Sequence, residues 1–84
     1  MPVLSRFYGI IIRMYFQQKE HNPPHIHAIY GEHMAAVTIS DGKILEGELP
    51  SKAFELVREW LSLHKDELLD IWNTQEFKQL PPLE

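Results

Sequence analysis

The sequence predicts an α+β domain in which an antiparallel sheet of about four strands, joined as a meander of hairpins, is followed by a C-terminal helical segment packed on one face. Three observations carry this. β-Branched and aromatic residues alternate through the first half of the chain; Pro-Pro, Gly and Asp-Gly turn signals divide that half; and apolar residues recur at helical spacing after Pro50. With 84 residues there is room for one core, so residues 1–84 read as a single domain.

Residues 7–16 form the first predicted strand, with Ile10, Ile12, Met14 and Phe16 on one face and Gly9, Ile11, Arg13 and Tyr15 on the other. After the polar stretch 17–20, His21-Asn22-Pro23-Pro24 is a stiff corner: both prolines fix φ, and each disfavours helix in the residue before it. His25-Ile26-His27-Ala28-Ile29-Tyr30 resumes strand character. Gly31, Glu32 and His33 supply a turn, and Ala35-Ala36-Val37-Thr38-Ile39 alternates again. Asp41-Gly42 reads as a type I′ hairpin turn, with residues 43–49 as the returning strand. Pro50 suits the first helical turn, with Leu49 or Ser51 in the cap position. Phe54, Val57, Leu61, Leu68 and Trp72 mark one apolar helical face, widened by Leu56, Trp60, Leu69 and Ile71, from 51 to about 77. His64 and Lys65 suit a helix C-terminus while Asp66 and Glu67 suit a start, so a break or bend is expected near His64, as one bent helix or two. Pro81-Pro82 ends regular structure in a short extended tail.

Composition narrows the function. Hydrophobic residues are 44% and charged residues 24% of the chain, the balance of an ordinary folded domain. Eight Lys and Arg against twelve Asp and Glu give a net charge of -4, the wrong sign for direct nucleic-acid binding. The absence of cysteine excludes disulfides, thiolate metal sites and cysteine nucleophiles. The apolar run 10–12 is too short to span a bilayer and no signal-peptide pattern opens the chain. A cytoplasmic protein without membrane association is the expectation.

Four of the five histidines fall between positions 21 and 33, three of them within His21-Asn22-Pro23-Pro24-His25-Ile26-His27. In a strand His25 and His27 share a face, about 6.5–7 Å apart along the chain, within reach of one metal ion. His21, or a carboxylate such as Glu20, could be a third ligand. Imidazoles suit zinc and also iron, nickel or copper, so a divalent metal such as zinc is a candidate cofactor whose identity the spacing leaves open. Against this stands the plainer reading, that the histidines hydrogen-bond loop carbonyls or line an interface. Catalysis without metal would use one of them as general acid or base, with Tyr30, Ser5 or Ser40 as unsupported nucleophile candidates. Arg13 interrupts an apolar run; it either lays its stem over apolar neighbours or binds a phosphate or carboxylate near the histidines. Arg13, Asn22 and Tyr30 are the candidate binding residues, with Tyr8 and Tyr15 able to join Tyr30 on a free face or edge. Trp60 and Trp72 are expected in the core. Glu46 and Glu48 belong to a solvated acidic face, or supply a carboxylate ligand.

The runs Ser5-Arg6-Phe7-Tyr8-Gly9-Ile10, Met14-Tyr15-Phe16, Glu20-His21-Asn22-Pro23-Pro24-His25-Ile26-His27-Ala28, Tyr30-Gly31 and Glu46-Gly47-Glu48-Leu49-Pro50, with Trp60 and Trp72 later, resemble the small bacterial domain-of-unknown-function family 4160. The resemblance covers most of the chain and brings no established activity. It implies a gene placed beside that of another small protein, in pairs of a kind read as toxin–antitoxin modules. The leading expectation is therefore a protein that binds a protein partner as one component of such a pair, its acidity suiting a basic partner. The rival is a metal-dependent hydrolase or nuclease built on His21, His25 and His27. A third reading leaves the histidine block as a stiff corner and an oligomer interface, and exposed sheet edges make a homo-oligomer possible in all three.

Overall fold

The computed structural model describes residues 3–14 and 23–83. Among these, five strands, β1 (Val3–Phe7), β2 (Ile10–Arg13), β3 (His25–Tyr30), β4 (His33–Thr38) and β5 (Ile44–Gly47), are followed by one helix, α1 (Ser51–Thr74). The strands lie in chain order as a single antiparallel sheet, each paired with the next. The expected α+β meander is therefore present, with five strands where about four were expected.

The extra strand arises where residues 7–16 were read as one. Tyr8 and Gly9 both adopt positive φ, 51° and 79°, the requirement of a two-residue type I′ hairpin turn. They fold residues 3–7 back on 10–13. A tyrosine rarely takes left-handed backbone, so only Gly9 marked this turn in the sequence. The predicted continuation through Tyr15 and Phe16 and the polar stretch 17–20 lie outside the described residues.

The Asp41-Gly42 turn also differs. Only Gly42 has positive φ, 67°, and the hairpin closes as a wider loop. The Thr38 amide donates to Lys43 O (2.8 Å), the Gly42 amide to Thr38 O (3.0 Å) and the Lys43 amide to Thr38 Oγ1 (3.0 Å). The threonine hydroxyl holds a loop that two residues would otherwise close, which leaves β5 shorter than the predicted 43–49. Pro50, with φ -55° and ψ 146°, is itself the cap residue of α1, and its carbonyl accepts from the Phe54 amide at 2.9 Å; neither Leu49 nor Ser51 takes that place. The helix bends at His64 (φ -120°, ψ 19°) and stops at Thr74, short of residue 77, because Gln75 enters the left-handed region. It is one kinked helix.

Side-chain alternation decides what α1 covers. Ile12, Ala28 and Ala35 lie across from one another on β2, β3 and β4, with Ile26 opposite Val37 beside them. These residues, with Ile10, Met14 and Ile39, are buried against Ala53, Val57, Trp60, Leu61, Leu68, Ile71 and Trp72 of the helix. The tail then returns to the first strand: the Leu80 amide donates to Leu4 O (2.7 Å), Trp60 Nε1 donates to Pro81 O (2.9 Å), and Leu80 and Leu83 are buried. Regular structure ends at Thr74, before Pro81-Pro82 rather than at them, and the extended tail is part of the core.

At Gly47 φ is 79°, and a Cβ there would collide with the Met34 carbonyl and the Ala35 backbone. Close approach to β4 and left-handed backbone both require glycine. Gly47→Ala is expected to destabilise the domain by about 2 kcal/mol or more, read as a lowered urea midpoint with an unchanged slope; a change below about 0.5 kcal/mol would contradict the account.

Candidate functional site

The register that buries one sheet face places a row of polar side chains on the other. Arg13 of β2 pairs with His27 of β3, His27 with Ala36 of β4, and Ala36 with Glu46 of β5. Strands are about 4.8 Å apart, so arginine and histidine are direct neighbours while the Ala36 methyl separates the histidine from the carboxylate. His25 sits one same-face step from His27; their rings are 5.3 Å apart and inclined at 65°. Its other neighbour is Trp72, whose ring lies 5.2 Å away where the end of α1 reaches this end of the sheet.

Pro23-Pro24 positions the first histidine. His25 Nδ1–H donates to Pro23 O at 2.9 Å, which in the neutral ring leaves Nε2 as the lone-pair nitrogen. His27 is 9% exposed. Burial holds its pKa below the usual 6.5, the nearby His25 adds to this, and Glu46 opposes it. Arg13 is half-buried, and its Nε is buried without a hydrogen-bond partner among the described residues.

Of the residues singled out from the sequence, the fold brings together Arg13, His25 and His27. Glu20, His21 and Asn22 lie outside the described residues. Tyr30 is opposite Ile10 on the strand positions that face α1, 38% exposed at the sheet end where it flanks Gly9, and is not on the face of the histidines. Tyr8 is exposed in the β1–β2 turn. Ser5 is on β1, across β2 from the histidine strand, and Ser40 Oγ donates to Asp41 Oδ1 (3.0 Å) in the loop after β4. Trp60 and Trp72 are buried as expected. Glu48 is exposed beyond β5, its amide donating to Met34 O. The packing of Trp72 on His25 and the spacing by Ala36 were not legible, since both are contacts between positions distant in the chain.

Among the described residues no group of three or more His, Cys, Asp or Glu side chains is arranged to hold a metal ion. His25 and His27 alone would offer two imidazoles. Nor, among these residues, is any helix long and apolar enough to cross a membrane.

His27 has a lowered folded pKa, so below pH 6.5 the unfolded chain takes up a proton that the folded chain resists. Its contribution to stability is complete above pH 6.5 and is lost as pH falls towards the lowered folded value. Melting temperatures measured across this range are expected to fall with acidification, and the fall is expected to be shallower for His27→Gln than for the parent.

Comparison with known proteins bears out the family resemblance. A family model described as Domain of unknown function (DUF4160) matches residues 9–73, which takes in all of the polar row and most of α1. No curated protein and no solved structure matches. The chain belongs to this domain-of-unknown-function family.

Proposed function

We propose that this chain works in the cytoplasm by binding a protein partner, as one component of a toxin–antitoxin-type pair, and that the partner docks on β5. The observation that supports this is the state of that strand. β5 ends the sheet, and all four of its residues are exposed. An edge strand carries unpaired backbone groups that a second strand can complete. Here it presents Ile44 and Leu45, 38% and 44% exposed, with Met34 exposed on the adjacent strand.

The chemistry around the edge favours a basic segment with apolar side chains. Glu46 and Glu48 follow the exposed apolar pair, and the chain as a whole is acidic. Beside Ile44 the surface dips into a groove of about 370 Å³ lined by Asp41, Gly42, Lys43, Phe54 and Arg58, large enough for one partner side chain. The test is co-expression with the protein of the adjacent gene. The parent is expected to co-purify with it, and Ile44→Asp/Leu45→Asp to weaken the complex at least tenfold while melting within a few degrees of the parent. Absence of a complex, or equal binding by the variant, would overturn the reading.

A second reading, a hydrolase or nuclease in which His25 and His27 hold a divalent ion such as zinc with His21 as third ligand, is favoured by the Pro23 contact. Metal-binding histidines commonly donate their other ring N–H to a carbonyl, which fixes the tautomer and ring. Under this reading untagged protein carries near-stoichiometric metal, chelation lowers its melting temperature, and His25→Ala/His27→Ala abolishes both effects. Identical melting of both proteins with and without chelator would sink it.

A further inference from the structure

We propose that Arg13, His27 and His25 form a binding site for a single phosphate-type oxyanion on the sheet face opposite the Ile12, Ala28 and Ala35 row. The site is separate from the β5 edge and does not depend on it.

The argument begins with Arg13. Its Nε is buried and has no acceptor among the described residues, although the chain carries twelve Asp and Glu. The nearest carboxylate in its row is Glu46, three strand spacings away across β3 and β4, or roughly 14 Å between backbones. That distance is too great for an ion pair with Arg13. Leaving a charged donor desolvated and unmet costs more than leaving a neutral one. A half-buried guanidinium kept in this condition beside two imidazoles is poised to receive an anion that brings its own acceptors.

The neighbours fit that ligand. His27 is directly across from Arg13 and His25 is one same-face step further, so a guanidinium and two imidazoles lie side by side on one sheet face. A carboxylate offers two coplanar oxygens, which the guanidinium fork alone would satisfy. A tetrahedral phosphate has further oxygens for the imidazoles. His25 also gains from such a ligand. With Nδ1–H committed to Pro23 O, it presents the Nε2 lone pair, which accepts from the O–H that a phosphate or phosphate monoester monoanion carries and a carboxylate lacks. The acidic remainder of the chain repels a polyanion, which restricts the ligand to a small phosphate or phosphate monoester.

The experiment is a titration of the purified protein at neutral pH and constant ionic strength, following the histidine imidazole resonances by NMR. Inorganic phosphate is expected to shift the signals of His25 and His27 saturably, with chloride and acetate giving little change. Arg13→Gln is expected to weaken phosphate binding at least tenfold, and Arg13→Lys to retain part of it, with far-UV circular dichroism confirming that both variants fold. Absence of a saturable phosphate shift in the parent, or undiminished binding by folded Arg13→Gln, would overturn the site. Acetate binding as tightly as phosphate would overturn the assignment to a tetrahedral oxyanion. If Arg13→Gln fails to fold, Arg13→Lys decides: binding equal to that of the parent speaks against bidentate recognition by arginine, and reduced binding supports it.

Discussion

The register of the sheet is the constraint on which the rest depends. Ile12, Ala28 and Ala35 must lie side by side under α1, because a slip of one residue in any strand would turn its apolar set to the opposite face. Once that row is fixed, the row one residue out of phase is fixed with it. Arg13, His27 and Ala36 line up because their chain neighbours are buried, and Glu46 joins the row through the pairing of β5 with β4. The polar row is thus positioned by the hydrophobic core, and core packing is rigid enough to hold it there.

The two edges of the sheet are treated differently. β1 receives a backbone hydrogen bond from the C-terminal tail, which also supplies Leu80 and Leu83 to the core and an acceptor for Trp60. In a domain this small, a few extra buried side chains are a large share of the stabilisation. β5 is exposed along its whole length, and Gly47 brings its end against the Met34 carbonyl so closely that no other residue fits. Geometry that demands glycine beside an exposed edge keeps the strand on the sheet while its outer side stays open. This asymmetry supports placing a partner on β5.

The polar face carries an electrostatic tension. Burial disfavours charge on His27, and the guanidinium of Arg13 lies on the strand position across from it. Among the described residues the Arg13 Nε has no acceptor, and a paired charge costs less than an unmet one. Sites that retain such a cost are where ligands are taken up. The inclined packing of His25 on Trp72 and its hydrogen bond to Pro23 O hold one wall of this region in place.

Local signals by themselves determined much of this protein. Alternation over 25–30 and 35–39 set which residues of β3 and β4 face the core, the apolar helical stripe set the face of α1, and the charge change at His64 and Lys65 marked the kink. The spacing of His25 and His27 was enough to put both on one face, and the Glu20 to Ala28 block was enough to indicate the family. Tertiary structure decided what local signals could not. Tyr8 was driven into left-handed backbone because pairing residues 3–7 with 10–13 outweighs the local penalty. Thr38 widened the Asp41-Gly42 turn through a side-chain hydrogen bond. The neighbours of Arg13 depend on register between strands far apart in sequence, and register is a property of the packed sheet as a whole.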